Sequence, residues 1–521
     1  MKKLFNPHTN LIVIYCNNEE KKIKKDITRK QYIYSNKNIY IAIIEIKPNK
    51  DKINNYLEFD SLDIKIINNF SRDGENLSDN TKFSLKAFEI QYDSCQNTKI
   101  ICDKVIKYAI DEFNESFNKC KNEIDLIYKT DKENEERIFG YSFVENNKNN
   151  IKLIINGIKN DLISIYKLKK GENNIKIIIK NKITNIKNMF YGCKSLKNIS
   201  QLEYLDIKDI NDFSGMFYGC SSLSDIKGLE NWDVSKGNNF SYMFYGCSSL
   251  SDIKGLEFWD VSNGNNFSYM FYGCSSLSDL KALKNWDVSS GNNFSYMFYE
   301  CSTLSDLNGL LHWNVSNGNN FSYIFYKCRS LPDLKGLKNW NVSNGNDFSD
   351  MFYECSSLSD INGLLHWNVS NANNFSYIFY ECASLSDTNG LLHWNVSNGN
   401  NFRYMFYGCS SLSDIKGLKN WNVSNGNNFS YMFYKCLSLS EIRALKNWNV
   451  SNGNNFRYMF YKCLSLKDTE GLENWNIANG NDFNYMFYEC SSLTENKELE
   501  NWYLLNHKVF NLFAENINLV I

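Results

Sequence analysis

The sequence predicts an α/β solenoid, a leucine-rich-repeat rod of twelve 27-residue coils with a parallel β-sheet, preceded by a small α+β domain. Two observations carry this. Cys recurs at 193, 220, 247, 274, 301, 328, 355, 382, 409, 436, 463 and 490, always 27 apart. Trp recurs at the same interval from Trp232 to Trp502, and no insertion breaks the register. A fixed period of about 20–50 residues marks a solenoid or a propeller, and 27 is too short for a propeller blade of about 40–45. Parallel strands stack at about 4.8 Å, so such a rod spans roughly 55–60 Å.

One unit reads Asn265-Asn266-Phe267-Ser268-Tyr269-Met270-Phe271-Tyr272-Gly273-Cys274-Ser275-Ser276-Leu277, and continues to Trp286-Asp287-Val288. Phe-Tyr precedes every repeat Cys and Leu follows it by three, so these invariant columns are expected to point inward. Phe271, Cys274, Leu277 and Trp286 are the predicted core ladder. Phe267, Met270, Phe271 and Cys274 have helical spacing, which predicts a short helical turn over 267–274. Leu277 to Leu283 reads as the short strand and its exit. The stretch Val-Ser-Asn-Gly-Asn-Asn reads as a turn whose Gly and Asn accept left-handed angles. Residues 138–188, with apolar runs at 151–155 and 175–179, read as the amino-terminal cap. The repeats span 189–503, and 504–521 read as the opposite cap.

The motif Phe-Ser-Tyr-Met-Phe-Tyr-Gly-Cys-Ser-Ser-Leu, followed by Asn-Trp-Asp-Val-Ser-Asn, resembles the BspA-like leucine-rich repeat, also described as DUF285. That resemblance implies a solenoid that binds proteins or cell surfaces. The unit here carries one extra residue. Its amino-terminal 137 residues have a different composition. Leu11 to Tyr15 and Ile39 to Ile46 read as strands. Ile106, Ile110, Phe113, Phe117, Cys120 and Ile124 fit one helical face over 103–128. Tyr40 through Glu58 resembles the strand around the catalytic Asp of trypsin-like peptidases, but Tyr40 stands where that Asp would be. No Gly-x-Ser-Gly occurs in the chain. A serine peptidase needs nucleophile, base and carboxylate together, so that resemblance implies an inactive remnant. The alternative is an unrelated α+β domain.

Charge and chemistry narrow the function. With 57 Lys and Arg against 58 Asp and Glu, no global field draws nucleic acid or an anionic membrane. The apolar run 11–16 is shorter than a secretory core of about 7–15 residues. A cytoplasmic protein with reduced thiols is therefore expected, with the cell surface as the alternative. Each repeat Cys stands alone, whereas zinc sites use paired Cys. Stacked Cβ atoms about 4.8 Å apart exceed the disulfide approach of about 3.8 Å. A buried ladder of thiols is the expected outcome, with no metal and no cofactor.

Five residues after Cys runs a carboxylate column that includes Asp279, Asp306, Asp333, Asp360 and Asp387. Lys or Arg follows two residues later in many units, but Asn308, Asn362 and Asn389 replace it. The coils over 301–393 are thus the most acidic and the expected contact zone for a basic protein partner; the alternative is Asp bonding its own backbone. His312, His366 and His393 precede Trp in Leu-Leu-His-Trp and share one face, where they are candidate partner-binding residues. His366 and His393, on adjacent coils, could also bind a metal or sense pH; the alternative is an ordinary surface position. Asn-Phe-Ser and Asn-Val-Ser triplets fit the glycosylation acceptor rule. Their crowding favours Asn side chains bonded along the rod instead. The function expected is a non-enzymatic scaffold binding protein partners along its sheet face.

Overall fold

The computed structural model describes the backbone of residues 2–6, 11–16, 40–48, 64–67 and 87–92, and residues 122–494, 499, 502 and 512 in full. The chain divides into two compact units, Met1–Cys120 and Lys121–Ile521. In the first unit β1 (Lys2–Asn6), β2 (Leu11–Cys16), β3 (Tyr40–Pro48), β4 (Ile64–Ile67) and β5 (Ala87–Tyr92) form one sheet in the order β1-β2-β3-β5-β4. Only β3 and β5 run parallel. Both strands expected here are present. Most of the helix expected over 103–128 lies outside the described residues.

Its end is corrected. Glu123–Thr130 is a strand, β6, because Ile124, Leu126 and Tyr128 are buried with a period of two. The domain boundary therefore moves from 137 to 120. β6 pairs with β11 (Gly171–Ile179), which pairs with β8 (Ile151–Ile155) and, through it, β9 (Ile158–Asp161). The first coil adds β12 (Leu196–Asn198) to the free edge of β6. β7 (Asn134–Arg137) and β10 (Ile165–Leu168) form a separate antiparallel pair, and α1 (Tyr141–Asn147) is a two-turn helix. The cap thus hides an end of the stack that would otherwise expose backbone groups.

The coils differ from a helix-and-strand repeat. The N–H groups of Phe267, Tyr269, Phe271 and Gly273 donate to Asn293, Ser295, Met297 and Tyr299 of the next coil at 3.0, 3.0, 2.9 and 2.7 Å. Those of Met270, Tyr272 and Cys274 turn back to Phe267, Tyr269 and Phe271 at 3.2, 3.2 and 3.1 Å. A helix would spend every amide on its own fourth neighbour. Here alternate amides leave the coil, so 267–274 is a string of overlapping turns. Tyr269 and Gly273 take the left-handed conformation at φ 60° and 69°. A residue other than Gly there costs about 1–2 kcal/mol, and Glu300 and Lys327 occupy the Gly273 position at φ 56° and 57°.

The Asn-Gly turn is not left-handed at its glycine. A Cβ on Gly264 would lie 2.4 Å from Cζ of Phe267, so crowding favours Gly there, and Ala372 at the equivalent position is fully buried. The expected strand at 277–283 is reduced to an isolated parallel bridge between Asp279 and Asp306, then a 3-10 turn over Lys281–Leu283. A second bridge column runs through Asn239, Asn266, Asn293 and Asn320. These single-residue bridges stand where a continuous parallel sheet was expected.

The core is layered by residue type. Phe271, Cys274, Leu277 and Trp286 are all buried, and each of the twelve repeat Cys is a free thiol. Cys274 Sγ donates to the carbonyl of Phe244 at 3.2 Å and Trp286 Nε1 to that of Leu256 at 2.8 Å, both in the preceding coil. Each coil thereby hangs its polar core atoms on its neighbour, the nearest-neighbour coupling of a solenoid. Ring spacings differ across the coil: 4.3 Å for Tyr272–Tyr299, 5.6 Å for Phe271–Phe298 and 6.2 Å for Trp286–Trp313. All three measure the same step between coils. The coils therefore fan open toward the tryptophans, and the tyrosines line the inner, narrower side.

Burial pushes the thiols well above their ordinary pKa, Cys490 to about 12. We expect a thiol reagent at pH 8 to label none of the twelve repeat cysteines in the folded chain and all of them in denaturant. Mass spectrometry of the two samples would read this, and labelling of a central Cys in the folded chain would contradict the buried ladder.

Candidate interaction surface

The predicted acidic column is first a structural device. Oδ1 of Asp279, Asp306, Asp333, Asp360 and Asp387 accepts the N–H two residues on, at 3.1, 2.8, 3.0, 2.9 and 2.9 Å. Each carboxylate thereby starts the 3-10 turn that cuts the strand short, as Asx turns do. Lys335 reaches Asp333 at 3.0 Å, and Lys281 lies 3.9 and 3.8 Å from Asp279 and Asp306. The sequon asparagines act the same way: Asn266 Oδ1 accepts from Ser268 N and Oγ at 3.1 and 2.7 Å. Most bonds along the rod come from neighbouring columns instead, such as Asn263 Nδ2 to the Ser235 carbonyl at 2.7 Å.

His312, His366 and His393 are exposed. The rings of His366 and His393 stack 6.5 Å apart, the wide spacing of the tryptophan side. Among the described residues no cluster of three or more His, Cys, Asp or Glu could hold a metal. The histidines therefore stand apart from the inner side of the coil.

That inner side carries what the sequence reading misplaced. Tyr272 and its equivalents were expected inward with the Phe beside them. They are half-buried and form an outer column from Tyr191 to Tyr488. A second column includes Tyr242, Tyr269, Tyr296 and Tyr323, with ring spacings of 4.5, 4.4 and 4.4 Å. Stacked rings occupy each other's faces, so their edges and hydroxyls form the surface. Burial, then the neighbouring Tyr299, pushes the Tyr272 phenol up to about 12. These hydroxyls therefore stay protonated and able to donate. The missed signal was the Tyr-x-x-Tyr spacing, which the left-handed residues turn outward.

The columns change along their length. Between columns the ring planes meet at 31° for Tyr269 and Tyr272 but 89° for Tyr485 and Tyr488. The opening leaves a groove of about 440 Å³ lined by Tyr431, Tyr434, Tyr458, Tyr461, Tyr485 and Tyr488. Arg403 and Arg457 lie over Tyr404 and Tyr458 at 4.6 and 4.9 Å, and Lys435 over Tyr434 at 5.4 Å. In the middle, Asp350 replaces a tyrosine and is 9% exposed. Burial pushes its carboxyl up to about 7, against the pull of the Tyr323 hydroxyl.

The family model described as "Mycoplasma protein of unknown function, DUF285" matches residues 161–278, 251–362, 275–391, 307–415, 333–441, 358–468 and 414–518. The chain belongs to the DUF285 family. The overlapping matches together run from residue 161 to residue 518. They begin beyond the peptidase-like stretch at Tyr40, which they leave without support. Among solved structures, a leucine rich cell surface protein from Faecalibacterium prausnitzii A2-165 is 16% identical, aligned over 61% of this chain and 83% of that one with a TM-score of 0.32. No curated protein matches the chain.

Asp350 gives this DUF285 solenoid a titratable position. Its carboxyl stands near 7 folded and about 3.9 unfolded. Ionisation therefore opposes folding: the penalty is absent below about pH 4, grows to pH 7 and is constant above. We expect Asp350→Asn to stabilise the chain on the order of 2 kcal/mol at pH 8 and not at pH 4. Urea unfolding at the two pH values would show it, and an equal gain at both would contradict it.

Proposed function

We propose that the solenoid is a non-enzymatic scaffold that holds protein partners against its tyrosine face. One observation carries the reading: two parallel columns of half-buried tyrosines with cations laid over their rings, on the narrow side of the stack. Tyr and Arg dominate the energetic centres of protein interfaces because they combine apolar area with a polar tip at low entropic cost. The columns repeat coil after coil, which suits many modest contacts. The Asp column contributes charge at its outer oxygens, strongest where Asn362 and Asn389 replace the cation.

The same face would serve a cell-surface adhesin. The buried thiols place no demand on the compartment, since neither reductant nor oxidant reaches them. Proteolysis of intact cells separates the two settings: repeats protected until lysis exclude the adhesin.

Two variants of the full chain test the surface. Tyr326→Ser with Tyr353→Ser removes two rungs and is expected to weaken partner capture at least about tenfold. Asp306, Asp333 and Asp360 changed together to Asn keep the side-chain oxygen that starts each turn, so the urea midpoint should hold. Weaker capture by this triple variant marks a basic partner. Unchanged capture by both variants would sink the tyrosine-face reading.

A further inference from the structure

The second tyrosine column is interrupted at Asp350. Ring contacts run from Tyr296 to Tyr323 at 4.4 Å and resume from Tyr377 to Tyr404 at 4.6 Å. The backbone between is undisturbed. Asp350 keeps φ 58° beside 60° at Tyr323 and Tyr377, and its N–H still donates to the Ser376 carbonyl at 3.0 Å. One flat ring is missing from an intact frame, and a carboxylate stands in its place. Tyr353 of the other column lies 6.3 Å from Tyr377 and bounds the gap on one side.

The charges around the gap have no cation to offer it. Lys327 lies 3.9 and 3.7 Å from Glu300 and Glu354, and Arg329 bonds Glu354 at 2.6 Å. Arg403 lies over Tyr404. Asp347, in the same coil, accepts the Ser349 N–H at 2.9 Å and adds a second negative charge. Among the described residues no ion pair reaches Asp350.

The geometry points to a slot for the guanidinium of a partner's arginine, entering between Tyr323 and Tyr377 and closing on the Asp350 carboxylate. A guanidinium is flat, stacks on aromatic rings and meets a carboxylate with paired N–H donors. A lysine ammonium is a compact point charge and leaves the rung unfilled. The slot rests on the reading of the tyrosine face as a protein-binding surface and names one side chain that surface selects.

The test uses the full chain with 3-fluorotyrosine at Tyr323 and Tyr377, followed by fluorine NMR at pH 8. The probes are N-acetyl-arginine methylamide and its uncharged citrulline counterpart. Arginine is expected to shift both labels saturably, with citrulline weaker by about tenfold or more. Asp350→Asn, which keeps the shape, should weaken arginine by about the same factor. Asp350→Tyr restores the ring and should abolish the response; tyrosine holds this left-handed position in the coils on both sides. Urea midpoints check the fold of each variant. The slot is overturned by an equal response to citrulline, by a response that persists in Asp350→Tyr, or by none in the native chain. Such a failure with partner capture intact removes the slot alone, because capture is tested by the Tyr326 and Tyr353 changes.

Discussion

Every second amide in the segment before each repeat Cys leaves its own coil. In the coil of Cys274 four such bonds cross from Phe267, Tyr269, Phe271 and Gly273 to the next coil, while the amides between them close turns within the coil. Buried amides must find partners, and this alternation supplies them without helix or sheet. It also imposes the left-handed residues at Tyr269 and Gly273. Those two kinks send Tyr269 and Tyr272 outward while Phe267, Met270, Phe271 and Cys274 stay buried. The tyrosine surface is therefore a consequence of how the backbone is satisfied.

The remaining layers follow from that stack. With the coils held in register, Trp286 and Cys274 each find a carbonyl in the preceding coil. The spacing between equivalent rings grows from 4.3 Å at Tyr272–Tyr299 to 6.2 Å at Trp286–Trp313, so the coils are wider apart on the tryptophan side. Because each coil touches only its neighbours, stability accumulates along the stack and depends on the caps. At the amino end β12 joins the cap sheet; at the other, the Leu512 carbonyl accepts the Phe487 N–H at 3.0 Å.

Aspartate plays two parts in this frame. At 279 and its equivalents the carboxylate accepts a local amide and stays partly solvated. At 350 the same side chain sits in an aromatic column, nine-tenths buried. The difference lies in the column each occupies, which the 27-residue register assigns and the surrounding rings then price in desolvation. Charge counting along the sequence finds the first kind, because it recurs. It passes over the second, because a single exception in a repeat looks like noise until its neighbours are known.

Much was legible in the residues alone. The period, the family, the lone thiols and the burial of Phe271, Cys274, Leu277 and Trp286 follow from invariant apolar columns, since only a stacked core needs the same side chain every 27 residues. Strand and helix within the coil were not legible. Periodicity reports which side chains share a face, but it is blind to where an amide sends its hydrogen bond. That destination lies in the next coil, 26 residues away for Phe267 and Asn293. It decided that 267–274 is a run of turns, that Tyr272 faces out, and that the histidines lie on the wide side. The repeat by itself determined that coils would stack. Only the contact between one coil and the next decided the backbone angles, and with them which side chains the molecule shows.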